Sequence, residues 1–559
     1  MIRKVVLIYP VSRRYSGSLS THRLPGLVTA HSGLTILAQI LGRQGRLVRV
    51  YDEQLTPFGE AMVADADLVG ISVQTSWAPR AYRIAAVLRR RGIPVVLGGV
   101  HVTLNPDEAV RHADFVVRGE GERTLPELLR ALEAGTGLEH VLGLSYRRGD
   151  VVHHNPPRPL LTGRELDEVP WPRLELIEGL EGPGHPLNRF IYFTMATRGC
   201  HQACRYCSVT RVFGRSLRHR SVASVVAELR ARFDPDRQFL FFMDDSLAAD
   251  PDYLKSLLQA LLDERLVPRH GWHSQLRADA AEDLELLRLM RATNCVWVTC
   301  GFESIDQRSL EALGKGQRPD DVWRAITRLR EHGVLVNGFF MFGTDHDGPE
   351  AMAETVRFAR RAGCFAAGFM PLTPFPGTPV FEELEAEGRI FTHDWELYDV
   401  QHVVFHPRRM SAWDLYSGTL ASYPAFYRAD HPMRHARVAL GRGLPLADLA
   451  IGATWPWLKH LAWAREVAAN LDYARALRAL RPGADLPDLD SGGLALRDLV
   501  SGHAWRRLMS RVGRSAGRRP LEPRWVPPLA ADLSAPAPVR RHSVTSGAPP
   551  REAAVPPSG

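Results

Sequence analysis

Cysteine is scarce in this chain: six residues in 559, with Cys200 the first of them. That excludes a disulfide-stapled secreted scaffold. Long apolar runs are also missing. None approaches the eighteen or more residues of a membrane-spanning helix. The opening "MIRKVVLIYP" runs from charge into a short apolar stretch with no small-residue cleavage site after it, so it reads as a first strand and not as a signal peptide. With no export signal and few cysteines, the expected location is the cytoplasm, where thiols stay reduced. A charge signal is largely missing too. Of the net +8, a balance of +7 lies in residues 501–559, with ten arginines against three acids. The remainder is close to neutral, and no nucleic-acid partner is indicated.

The composition is that of an ordinary globular protein, 45% apolar and 24% charged. Its length calls for two or three folded domains. From 4 to about 135, short apolar strands alternate with helical segments: "KVVLIYP", "GLTILAQILGRQG", "RLVRVYD", "DLVGISVQT", "RAYRIAAVLRRRG", "PVVLGGVH", "DFVVRGEGE". Such alternation predicts a doubly wound, flavodoxin- or Rossmann-like α/β domain over 1–140, with a ligand crevice at the carboxyl ends of its strands. Those ends carry Thr75, Ser76 and Trp77, then Gly98, Gly99 and His101, then Gly119, Glu120 and Gly121.

Residues 141–188 read as a hairpin around a Gly-Asp turn followed by a proline-rich linker. From 189 to 405, six strand-then-helix steps predict a partial (β/α)6 barrel, whose chemistry sits at the C-terminal strand ends. Residues 406–515 read as a helical domain, with Trp455, Trp457 and Trp463 in its second half. The tail 516–559, basic and rich in proline, alanine and serine, has little to bury and reads as disordered.

Half of the cysteines fall in one stretch, "TRGCHQACRYC", residues 197–207. A structural zinc site wants four ligands in paired clusters. Cys295, Cys300 and Cys364 form no CxxC pair, and His201 adjoins Cys200 too closely to serve without a sharp fold-back. Three thiolates suit a 4Fe-4S cluster with one iron left open to an external ligand.

The CxxxCxxC spacing just after the first barrel strand resembles the signature of the radical S-adenosylmethionine superfamily. The resemblance implies that Cys200, Cys204 and Cys207 hold the cluster and that Tyr206 packs against the cofactor's adenine. It implies further cofactor contacts at the strand ends. Asp244 and Asp245 in "MDDS" stand where relatives contact the amino group, with helix capping as the structural alternative. Glu303 in "CGFES" stands where relatives bind the ribose hydroxyls. Gln275 in "WHSQLRAD" is a further candidate, and Phe342 and Gly343 in "FMFGTD" stand where the backbone passes the adenine.

An α/β domain ahead of such a barrel resembles the cobalamin-binding branch of that superfamily, the class B radical methylases among them, over roughly residues 1–430. In that branch Thr75, Ser76, Trp77, Gly98, Gly99, His101, Gly119 and Glu120 fall where the corrin ring is wrapped. No DxHxxG motif, the source of a lower axial histidine in cobalamin mutases, occurs in the first 140 residues.

The resemblance implies three cofactors: a 4Fe-4S cluster, S-adenosylmethionine and cobalamin. The implied reaction is methylation of an unactivated carbon, or of phosphorus, in a small-molecule substrate such as a lipid or natural-product intermediate. Radical ring closure or rearrangement is the alternative, and a flavodoxin or ferredoxin is the implied electron donor. Methylthiotransferases need a second, N-terminal cysteine set, and members with auxiliary clusters need a downstream one. Neither set is present, so a single cluster is expected. A non-catalytic iron-sulfur or cobalamin sensor would need a fourth ligand and a DNA-reading module, and the sequence has neither.

Overall fold

The run Val5 to Ile8 is buried at every residue, 1% exposed each. A strand can be apolar on both faces only inside a parallel sheet covered by helices. β1 (Lys4–Tyr9) is such a strand, pairing in parallel with β2 (Leu47–Asp52) on one side and β3 (Leu68–Ser72) on the other. β4 (Val95–Gly98) and β5 (Phe115–Val117) continue the parallel sheet. The order β2-β1-β3-β4-β5 is flavodoxin-like, and its two faces are covered by separate apolar clusters. The computed structural model describes residues 2–12, 32–180, 190–427 and 470–487.

One expected boundary shifts. The hairpin assigned to the linker, β6 (Leu144–Arg148) and β7 (Val151–His154), adds antiparallel to β5 and completes a seven-stranded sheet. Its inward residues Leu144 and Tyr146 are buried with the first domain's core, which is why it cannot stand apart as a linker. The proline-rich stretch after it is packed as well. Leu174, Ile177 and Leu180 join the same apolar cluster as β1, and so does Phe193 of the following domain.

The second sheet has six parallel strands: β8 (Ile191–Thr194), β11 (Phe239–Phe242), β12 (Trp272–Leu276), β13 (Cys295–Glu303), β14 (Leu335–Phe342) and β15 (Ala366–Pro371). They lie in sequence order from β8 to β15, and the two end strands do not pair, so the barrel is open as expected. A two-stranded antiparallel ribbon, β9 (Thr197–Gly199) with β10 (Leu217–His219), is inserted after β8. The connecting helices begin at side-chain caps: Ser221, Asp250, Asp283 and Thr378 each accept a backbone N–H from their own first turn.

An open barrel leaves an edge strand with unpaired backbone groups. The helix Ala412–Phe426 covers the edge at β15. Tyr423 Oη accepts the Phe369 N–H (3.1 Å) and donates to the Phe369 carbonyl (2.9 Å). Tyr427, just past the helix, does the same at Ala367, both bonds at 3.0 Å. The helix predicted here from sequence period is present. Trp455, Trp457, Trp463 and the tail 516–559 lie outside the described residues. No described helix is long and apolar enough to cross a membrane.

Removing Tyr423 Oη strands two buried backbone groups at about 1–3 kcal/mol each. Tyr423→Phe is therefore expected to lower stability by about 2 kcal/mol or more in denaturant unfolding, although it deletes one oxygen from an apolar contact.

Candidate active site

The cysteine loop begins where β9 ends, and the segment leading from β8 into β9 is fastened from the next barrel strand. Asp244, at the end of β11, is fully buried. It accepts the Ala196 N–H (3.1 Å), the Thr197 hydroxyl (2.7 Å) and the Thr197 N–H. This corrects one expectation. Placed to meet a cofactor's amino group, Asp244 has instead spent its oxygens on the backbone leading into the loop. Asp245 accepts the Gly199 N–H at 3.2 Å and is exposed, so it alone of the pair still faces open space. Neither is the helix cap. That is Asp250, which accepts the Tyr253 N–H at 3.0 Å.

The loop itself, residues 200–208, has no regular structure. A turn closes Cys204 on Cys207, with the Cys207 N–H donating to the Cys204 carbonyl (3.3 Å). Between them Arg205 anchors the loop from outside. Its N–H donates to the Leu313 carbonyl (2.9 Å), and its guanidinium reaches the Ala312 carbonyl (3.2 Å) and Glu383 (2.6 Å). Gly314, at φ +64°, lets this contact form, because a Cβ there would stand 3.0 Å from the Ala203 carbonyl.

The three loop cysteines are free thiols and half-exposed, whereas Cys295, Cys300 and Cys364 are buried. Burial raises the Cys200 and Cys207 thiols, the latter to about 11, and both feel the charge of Cys204, so the three lie within electrostatic reach of one another. Among the described residues, no three His, Cys, Asp or Glu side chains are grouped to hold a single metal ion. His201, considered above as a fourth zinc ligand, is exposed and lies 2.9 Å from Gln202 Nε2. The donor set is three soft thiols on one short loop. It fits an iron-sulfur cube, which takes its thiolates at separate corners.

Across the loop stands the end of β13. Glu303 has φ +62° and follows a register shift against β14. A left-handed conformation at a non-glycine residue is strained, and such strain concentrates at functional sites. Glu303 Oε1 accepts the Tyr206 hydroxyl (2.8 Å) and the Lys315 ammonium (2.9 Å), while Oε2 has no hydrogen-bond partner among the described residues. Lys315, which sequence reasoning missed, is 6% exposed, and its charge is what allows the carboxylate to be buried. Tyr206, expected against an adenine, is half-buried and joined by its hydroxyl to Glu303. Gln275 is exposed while Ser274 and Leu276 beside it are buried, so its side chain lies on the open side of the sheet.

Two expected contacts at β14 are corrected. Phe342 is buried and stacked on Phe369 at 6.1 Å, and its carbonyl is taken by the Leu372 N–H. Gly343, at φ +107°, does make a close approach, but to the helix Ala412–Phe426. A Cβ there would stand 2.7 Å from Leu415, and its N–H is held by Asp347 (2.9 Å).

In the N-terminal domain, Thr75, Ser76 and Trp77 form one turn at the carboxyl end of β3, with Gly98 beside them at the end of β4. Thr75 is buried, and Ser76, Trp77 and Gly98 are half-buried. These stand on the crevice edge that strand order predicts, and Gly119, at φ +73°, adds the turn after β5. Gly99 serves a different purpose from the one expected. A Cβ there would lie 2.8 Å from the Val73 carbonyl oxygen, so the glycine permits contact between two backbones.

His101 is fully buried, its Nε2 3.1 Å from Tyr82 Oη, with Glu108 at 3.7 Å and the Trp395 ring edge-on at 5.4 Å. It is enclosed by side chains and does not face the crevice. Glu120 is likewise engaged elsewhere, in ion pairs with Arg198 and Arg218 of the ribbon. Those arginines went unnoticed in the sequence because the chemistry-bearing pattern starts two residues after Arg198.

Burial pushes the Asp244 carboxyl up to about 7, against the Thr197 donors that lower it. The protonated form is thus favoured in the folded state. Its stabilisation is full below the unfolded carboxyl range near pH 4 and is lost as pH rises through about 7. Asp244→Asn is expected to flatten the decline in stability over that window, measured by denaturant unfolding at a series of pH values.

Comparison with known proteins agrees with this architecture. Residues 25–129 match the B12 binding domain family and residues 194–359 the Radical SAM superfamily. The chain is 29% identical over 440 residues to an uncharacterized methyltransferase of Pyrococcus horikoshii, covering 76% of this chain and 93% of that one. It is 28% identical over 395 residues to the bacteriochlorophyllide d C-12(1)-methyltransferase of Chlorobaculum tepidum, covering 70% and 78%. The fold is shared with the radical S-adenosylmethionine methyltransferase TsrM of Kitasatospora setae, with TM-score 0.61, 19% identity, and coverage of 84% of this chain and all of that one. The flavodoxin-like sheet thus carries a B12 binding domain and the open barrel after it a Radical SAM domain, in the order the chain presents them.

Proposed function

We propose that the protein is a cobalamin-dependent radical methyltransferase acting on a small-molecule biosynthetic intermediate. The carrying observation is the set of three unpaired thiols at the carboxyl end of β8, with the strained Glu303 across from them. When bound, the cluster supplies the electron that cleaves S-adenosylmethionine to a 5'-deoxyadenosyl radical, and cobalamin supplies a transferable methyl group.

The chain's own residues orient and enclose. Cys200, Cys204 and Cys207 hold three irons of the cluster. Glu303 turns its unpaired Oε2 toward the ribose hydroxyls, with Lys315 and Tyr206 fixing the other oxygen. Asp245 and Gln275, both exposed at neighbouring strand ends, are placed for the polar groups of the methionine portion. Thr75, Ser76, Trp77, Gly98 and Gly119 line the domain edge that would hold the corrin, while His101 stays enclosed by protein side chains. The reducing electron comes from a flavodoxin or ferredoxin in the cytoplasm. Methylated carbon or phosphorus is the product in this reading. The bacteriochlorophyllide and TsrM relatives named above are methyltransferases, and this favours methyl transfer.

Anaerobically reconstituted protein given S-adenosylmethionine and a strong reductant is expected to release 5'-deoxyadenosine. Alanine at any one of the three loop cysteines should abolish this and lower bound iron. Glu303→Gln removes a charged acceptor worth about 1.5–3 kcal/mol, which corresponds to a roughly 10- to 100-fold higher KM for S-adenosylmethionine in the same assay. Release of 5'-deoxyadenosine at wild-type rate from the cysteine variants would refute the assignment.

A further inference from the structure

Two arginines stand side by side at the entrance to the cysteine loop. In the β9–β10 ribbon Arg198 is in direct register with Arg218, and their side chains are only 11% and 10% exposed. Like charges facing each other across a ribbon repel, and burial sharpens the repulsion. The charge that cancels them comes from the other domain. Glu120, on the turn after β5, places Oε1 2.8 Å from Nη1 of both arginines, and its Oε2 accepts the Leu161 N–H at 2.7 Å. Glu122 adds a second pair to Arg198 Nη2, also at 2.8 Å. Nε and Nη2 of Arg218 are buried with no hydrogen-bond partner among the described residues, and besides Glu120 the guanidinium has only the neutral Leu161 carbonyl (2.9 Å) as an acceptor, so no other carboxylate balances its charge if Glu120 is lost. From Arg198 the chain passes through Gly199, whose N–H is held by Asp245, directly to Cys200.

We propose that Glu120 is a positioning residue for the iron-sulfur cluster: carried on the cobalamin-type domain, it neutralises the paired arginines of the ribbon and so sets both the ribbon's geometry and the charge the cluster feels. The proposal rests on the reading of Cys200, Cys204 and Cys207 as cluster ligands. It gives the N-terminal domain a second task, control of the electron-accepting properties of a centre bound by its neighbour. Glu120 lies at the carboxyl edge of its sheet, so a ligand in that crevice would act on the same ion pairs.

The test is a redox titration of the reconstituted full chain, with the electron paramagnetic resonance spectrum of the reduced cluster. Cluster potential follows net charge and hydrogen bonding around the sulfurs. Glu120→Gln leaves excess positive charge on the ribbon and is expected to shift the midpoint potential positive and alter the spectrum. Arg218→Met removes a cation while leaving Arg198 paired with both glutamates, and is expected to shift the potential negative. Glu127→Gln, on the helix Gly121–Ala134 but paired with Arg158, should leave both readouts unchanged. Should Glu120→Gln fail to fold, the negative shift in Arg218→Met carries the test alone. Wild-type potential and spectrum in both ribbon-directed variants at full iron content would overturn the proposal. A wild-type chain that takes up no cluster would instead overturn the reading beneath it.

Discussion

A loop of nine residues with three cysteines and no regular structure cannot gather its own thiols, and the rest of the site follows from that constraint. Apart from the Cys204–Cys207 turn, the contacts that shape the loop come from elsewhere in the chain. Asp244 and Asp245 at the end of β11 hold its approach, the carbonyls of Ala312 and Leu313 hold its middle, and Tyr206 ties its last turn to Glu303. The parallel sheet makes this possible because it brings all its carboxyl strand ends to one rim, so residues as far apart in sequence as Arg205 and Ala312, 107 positions, can brace one short segment.

The bracing has a cost in buried charge, and the chain meets it by pairing. Glu303 is buried with Lys315, and Glu120 with Arg198 and Arg218. Buried ion pairs add little net stability, because desolvation consumes most of the Coulomb gain. What they supply is geometry, since removing one partner leaves an unpaired charge that the fold must rearrange to accommodate. Such pairs tie the loop to β13 and tie the ribbon before it to the N-terminal domain.

Much of this was legible in the sequence wherever a pattern is local. Strand and helix alternation foretells both sheets, and the cysteine spacing marks the loop that the rest of the chain braces. Glu303 stood out as a carboxylate at a strand end, and the structure gives it a left-handed backbone and a lysine partner. The errors share a physical cause. Asp244, His101 and Glu120 are polar residues at strand ends, where a ligand was expected, yet each is satisfied by a protein partner 19 to 98 residues away in sequence. Gly99 and Gly343 do permit close approaches, as glycines at such places should, but to Val73 and Leu415 and not to a cofactor. The hairpin 144–154 reads as a separate unit because its turn is local, whereas its pairing to β5 is not. Lys315 lies outside any motif, and Arg198, though it precedes the first cysteine by two residues, shows its role only when its carboxylate partners are placed beside it.

The account's central claim is that three cysteines hold a cluster with one iron open to an outside ligand. Mössbauer spectroscopy of anaerobically reconstituted, isotopically enriched protein tests it most directly. The account predicts one iron distinct from the others, whose signal changes when S-adenosylmethionine is added. Irons that are all alike and indifferent to that addition would contradict it.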